Sequence, residues 1–349
     1  MSNLHQNAVN SKFSKSIGHL APSLDKLAQG GTNFDRKLKR KTKKCDCKVL
    51  SKRATRKWWS RNLAQNLVNA SKNNPNSTLE KQYWNSWHCC EVLQEKSDGT
   101  IVSKYCKTRM CMICNAIRSA QSIDTYEPIV NAWEDPHMVT LTDVNVSDDE
   151  LEGEVASFLK DFTRIKDVNK KRAQRNTAQR IKGIRKMECT YNKRANTYNL
   201  HFHILVDTKN AAEFFRKQWL EKRTTARAGG QDVSRANKGS LKEVFKYITK
   251  IAYKSNTSRE RFVDAYSLDV IFNAFKGRKT IQPFGFQLKK DPDEIEDEDV
   301  VEDEEVVAVF KWVNEDWVDV DTGEMLTDNV ISDVMREVFE NVNIHPPDV

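Results

Sequence analysis

Three features of this 349-residue chain predict an α+β fold, an antiparallel sheet flanked by helices, with a cysteine-rich segment ahead of it and an acidic tail behind. The first is residues 198–207, Tyr-Asn-Leu-His-Phe-His-Ile-Leu-Val-Asp, whose β-branched and aromatic content marks a strand. Side chains two apart share a face of a strand, so His201 and His203 project together while Phe202, Ile204 and Val206 face the other way. The second is a strand-like run at residues 184–191, joined to the first by the polar turn Lys193-Arg194-Ala195-Asn196. The third is helical spacing of apolar residues at Leu151, Val155, Phe158, Phe162 and Ile165, and again at Leu241, Val244, Phe245, Ile248, Ile251 and Ala252.

In chain order, residues 1–75 read as a basic, partly disordered leader without sustained periodicity. It contains Arg36-Lys37-Leu38-Lys39-Arg40-Lys41 and then Arg56-Lys57-Trp58-Trp59. Such a run either holds phosphates and stacks on bases or is a solvated tail with core-anchoring aromatics. Residues 76–130 are cysteine-rich. Cys106, Cys111 and Cys114 have structural-zinc spacing, with a fourth ligand from His88, Cys89 or Cys90, of which Cys89 is taken forward; buried free thiols are the alternative. A helix is expected over residues 115–133 and a strand over residues 137–146. The main domain spans residues 131–290 and continues with a helix over 210–223 capped by Asn210, a helix over 240–254, and a helix over about 259–275. An edge strand near Pro283 follows, because proline cannot donate to an inner ladder. Residues 291–349 form the acidic tail, solvated by default, in which residues 310–312 and 330–339 suggest a hairpin and a short helix.

The charge is divided sharply. Residues 291–349 hold 21 acidic and 2 basic residues, a balance of −19, against +27 for residues 1–290. A body this basic points to a polyanionic partner, most directly nucleic acid. No apolar run approaches a membrane span and the start lacks a secretory core, so a cytoplasmic, reducing location and no membrane partner are expected. The eight cysteines then read as free thiols or metal ligands.

The hairpin register sets Glu188 across from His201. Cross-strand partners point to one side, so two imidazoles and a carboxylate converge as a divalent cation requires. His-x-His alone would equally suit packing; Glu188 favours the cation. On the 240–254 helix, Glu243, Tyr247, Lys250 and Lys254 form a stripe outside the apolar one, within side-chain reach of each other. Glu243 also stands three residues after Ser240, the spacing of a capping box, and both roles are compatible.

These segments, in this order, resemble the replication initiator (Rep) proteins of small rolling-circle plasmids, in the HUH endonuclease superfamily. The matching residues are Val139-Thr140-Leu141-Thr142 with Asn145, His201-Phe202-His203-Ile204-Leu205, and Glu243-x-x-Lys246-Tyr247-x-x-Lys250. Cys106 to Cys114, Lys276-Gly277-Arg278 and Phe284-Gly285 add to it. Met112 and Leu200 stand where the family usually has proline. The resemblance implies an HUH-type sheet binding Mg²⁺ or Mn²⁺ through His201, His203 and Glu188. It implies Tyr247 as nucleophile, Lys250 as stabiliser of the phenolate, and Glu243 as activator of the terminating water. Lys246, Lys254, Arg278 and Lys279 are expected on DNA. The implied partners are plasmid origin DNA, single-stranded or hairpin, and host helicase and polymerase. A single-tyrosine HUH transposase or relaxase, and a non-catalytic zinc-stapled DNA-binding regulator, are the alternatives.

Overall fold

The computed structural model describes residues 44–245, 252–254, 261–289, 291–292, 294–295 and 306–347. In chain order the elements are α1 (Lys44–Asn73), α2 (Glu80–His88), β1 (Val92–Lys96), β2 (Ile101–Ser103), α3 (Met112–Asn131), β3 (His137–Thr142) and α4 (Asp148–Gln174). Then come β4 (Gly183–Asn192), β5 (Thr197–Val206), α5 (Lys209–Lys222), β6 (Asp232–Arg235), α6 (Lys238–Val244), β7 (Tyr253–Lys254) and β8 (Arg261–Phe262). The last are α7 (Ala265–Ala274), β9 (Ile281–Phe284), β10 (Val306–Val313), β11 (Asp316–Asp319) and α8 (Asp333–Glu337). The predicted α+β class is observed, as two antiparallel sheets with flanking helices and a two-stranded ribbon of β7 and β8.

The described chain forms two compact units, one of residues 44–54, 90–104 and 306–330, the other of the remainder. The smaller contains a four-stranded antiparallel sheet in the order β11-β10-β1-β2. Leu93, Val102, Ala308, Phe310, Trp312 and Trp317 are its buried apolar side chains, with the two indoles edge to face at 4.8 Å. The acidic tail is therefore not simply solvated: residues 306–319 fold as sheet, because β10 itself holds no acid and buries alternate apolar side chains, while Asp316 and Asp319 of β11 are buried with them.

The larger unit is built on a five-stranded antiparallel sheet, β6-β3-β5-β4-β9, with β9 and its Pro283 at the edge as expected. One face packs on α4 and α5. Phe202 lies against Phe158, Phe162 and Trp219, and Phe215 stacks on Phe162, so the helical spacing read from the sequence is the buried stripe of α4. The other face is half covered: Ile184 and Leu205 pack with Leu241, Val244 and Phe245 of the α6 segment and Tyr126 and Val130 of α3. The other half carries the histidines. Gly285 turns the chain out of β9 with φ +80°, and a Cβ there would lie 2.1 Å from the Ile181 carbonyl, so glycine is required by both torsion and space.

Several element boundaries differ from expectation. Helix α1 occupies residues read as lacking periodicity. Its buried stripe includes Leu50, Ala54, Leu63, Leu67 and Val68 but also Lys57 and Ser60, and those polar positions mask the apolar repeat. Helix α3 begins three residues earlier than expected, at Met112. Helix α5 is capped by Thr208, whose hydroxyl accepts from the Ala211 amide, rather than by Asn210. The chain leaves β5 at Val206, which puts the first free amides within reach of Thr208. Helix α6 starts at Lys238, with Asn237 and Ser240 forming the capping box, so Glu243 is not a capping residue. The expected helix over 240–254 does not persist, since Tyr253–Lys254 is extended and pairs with Arg261–Phe262. For the same reason the helix placed over 259–275 is reduced to α7. Tertiary strand pairing overrides helix propensity in both places.

Candidate functional site

The hairpin of β4 and β5 has the register read from the sequence, with Glu188 opposite His201 and Lys186 opposite His203. Glu188, His201 and His203 each offer a ligand atom, and these lie within 4.8 Å of one another. The Glu188 Oε2 to His203 Nε2 distance is 3.6 Å.

Each imidazole is oriented by its other nitrogen. His201 Nδ1 lies 3.4 Å from the Asn199 carbonyl, which only accepts, so the proton belongs on Nδ1 and the Nε2 lone pair is free for a cation. Thr140 Oγ1 contacts His203 Nδ1 at 3.3 Å, and a hydroxyl there is able to accept the equivalent proton. Thr140 lies opposite His203 and contacts it, whereas Thr142, opposite His201, donates to the Leu200 carbonyl at 3.0 Å. Burial lowers the pKa of both histidines, His203 to about 4, with the neighbouring His201 adding to the effect there. Both rings are then neutral at pH 7, the form that binds metal. Two neutral nitrogens and a carboxylate oxygen at this spacing fit a divalent cation.

Sequence reasoning passed over Lys186. Its side chain is fully buried, and its ammonium donates to Glu188 Oε2 at 2.7 Å and to the Glu243 carbonyl at 3.1 Å. The only signal was its place two residues before Glu188 on one strand face. Among the other expected residues, Tyr247, Lys246 and Lys250 lie outside the described residues, and Lys254 is described only in its backbone. Glu243 is half-buried on the last turn of α6. Arg278 and Lys279 are exposed, and Lys279 pairs with Asp291 at 3.2 Å.

Cys89, Cys106, Cys111 and Cys114 form a second group with ligand atoms within 4.8 Å. Sulfur separations of 3.6 Å for Cys89 with Cys114 and for Cys106 with Cys114 compare with about 3.8 Å along a tetrahedral zinc edge at ordinary Zn–S length. Burial pushes the Cys111 thiol up, but hydrogen bonds from Cys106, Cys114 and Cys89 more than offset it and hold it well below the usual thiol range. The sulfur contacts with Cys106 and Cys111 push the Cys114 thiol up, and it is the spacing of the four sulfurs that fits zinc. Side chains missed in the sequence support the loop: Lys57 donates to the carbonyls of Trp87 and Cys89, the Met112 amide donates to Ser60, and Arg118 donates to the carbonyls of Lys107 and Thr108.

The strand pair carrying this site, its β3 neighbour and three of the four cysteines lie within residues 101–227, which match the family described as replication protein. The resemblance to replication proteins read from the sequence is thereby supported for that segment. A protein named Protein rep from Staphylococcus aureus is 34% identical over 107 residues, 29% of this chain and 44% of that protein. The chain thus matches less than half the length of that curated relative, and residues 243–250 lie beyond the family match. No solved structure matches.

Proposed function

We propose that this chain initiates rolling-circle replication of a plasmid by nicking and rejoining one strand at the origin through a tyrosine nucleophile. The observation that carries the reading is the convergence of Glu188, His201 and His203 within a segment that matches replication proteins. In this reading the three residues hold Mg²⁺ or Mn²⁺, which when bound supplies positive charge to the scissile phosphate. The Tyr247 oxygen bonds to phosphorus and the bond to the 3′ oxygen breaks, leaving a 5′-phosphotyrosine and, once protonated, a 3′-hydroxyl for the host polymerase. A host helicase then opens the duplex ahead. Lys250 stabilises the phenolate, and Glu243 activates the water that ends the cycle. The capping box at Asn237 and Ser240 is compatible with that role, because it removes helix capping as the explanation for Glu243. Lys246, Lys254, Arg278 and Lys279 contact phosphates, and the basic body supplies non-specific affinity. The four cysteines hold a structural zinc.

The test is a denaturing gel of the protein with a labelled single strand carrying its plasmid origin and Mn²⁺. A retarded band removed by protease is expected. Tyr247→Phe should abolish that band and leave DNA affinity within about twofold, since a phenol hydroxyl adds little to phosphate binding; a band that persists sinks the assignment. Glu243→Ala should form the first adduct normally and fail at termination, and normal termination would remove Glu243 from the mechanism.

A further inference from the structure

We infer that Lys186 is a positioning residue that ties the metal-binding strand to the segment carrying the nucleophile, a role that deepens the proposed nicking reaction and rests on it. A lysine with no solvent exposure is costly unless its charge is met by acceptors. Here the acceptors come from two different elements: the Glu188 carboxylate on β4, and the Glu243 carbonyl on the last turn of α6. The final carbonyls of a helix lack intrahelical partners and carry partial negative charge, so an ammonium suits that end. The carbonyl of Phe245, two residues on at the end of the helix, is also held from outside it, by the Ser119 hydroxyl at 2.5 Å.

The exit of α6 is thereby fastened at residues 243 and 245, four and two positions before Tyr247 in the sequence. One of those points is shared with a metal-ligand candidate. The oxygen of Glu188 that receives the ammonium is the one 3.6 Å from His203 Nε2, so Lys186 sets the carboxylate and the helix exit with one group. Burial keeps it from touching DNA, which separates it from the exposed basic residues. It acts through Glu188 and the α6 backbone.

The test uses full-length protein, a labelled origin strand and three readouts. With saturating DNA and Mn²⁺, Lys186→Met should slow single-turnover adduct formation by about tenfold or more, as misplacement of a nucleophile does, while half-saturating DNA concentration stays the same. Lys186→Arg keeps a charged donor and should recover part of the rate. Without DNA, Lys186→Met should still bind Mn²⁺ by calorimetry, and amide exchange of residues 241–245 should quicken. An unchanged rate, a loss repaired wholly by excess Mn²⁺, or unchanged exchange at 241–245 each overturns the role. If wild type forms no adduct, the nicking reading fails, and the exchange measurement still decides whether Lys186 anchors α6. Should Lys186→Met not fold, Lys186→Gln, which keeps two N–H donors, is judged by the same measurements.

Discussion

Tyr83 and Asp269 show how single polar groups hold the larger unit together. Asp269 is fully buried and accepts from the Tyr83 hydroxyl at 2.5 Å, Ser77 at 2.7 Å, Asn74 at 2.7 Å and Asn273 at 3.0 Å, so α7 is fastened to the α1–α2 region through one carboxylate. Burial, then Asp269 itself, raises the Tyr83 pKa well above its ordinary value. Below about pH 10 the phenol is protonated in folded and unfolded chains alike and its contribution is intact. Above that, the unfolded phenol ionises and the folded one does not, so stability falls as pH rises toward the folded pKa, by about 1.4 kcal/mol per pH unit for this group. Urea unfolding at pH 9 and pH 11 should therefore show a smaller alkaline loss for Tyr83→Phe than for wild type. Equal losses would mean that the phenol is not protected by the fold. The same local logic separates legible from illegible residues at the site. His201, His203 and Glu188 were visible because strand alternation and register are set by nearest neighbours. Lys186 was not, because its second partner, Glu243, lies far along the chain.

At the scale of elements, the β4–β5 hairpin was readable to the residue, since its turn and its two faces are written in consecutive positions. The segment after α6 was not. Its apolar repeat reads as one long helix, yet Tyr253–Lys254 pairs as strand with Arg261–Phe262, a pairing that the 3.6-residue repeat of the apolar positions does not announce. The exit of β9 depends on Gly285 in the same way. Gly285→Ala must both adopt φ +80° and displace the Ile181 carbonyl, and should cost on the order of 3 kcal/mol in chemical denaturation. A change within about 0.5 kcal/mol would show that β9 can shift to accept a methyl group.

For the whole molecule, the cysteine quartet is the feature with the largest expected effect on stability, because its members come from the end of α2, the loop ahead of α3 and the first turn of α3. The purified chain should carry one equivalent of zinc, and stripping it with a chelator or replacing Cys111 with serine should lower the melting temperature by roughly 10 °C. Chelation without any shift would leave these residues as buried thiols. Composition and pattern alone determined the α+β class, the basic body and acidic end, the hairpin with its two imidazoles and a carboxylate, and three of the four clustered cysteines. These are properties of local periodicity and of net charge, which need no knowledge of distant contacts. Tertiary structure alone decided that Cys89 rather than His88 or Cys90 completes the quartet, that the expected hairpin of the tail pairs with β1, and that a buried lysine joins Glu188 to α6. Each of those depends on which remote segment arrives to accept a hydrogen bond or cover an apolar side chain, and a sequence window holds no record of that arrival.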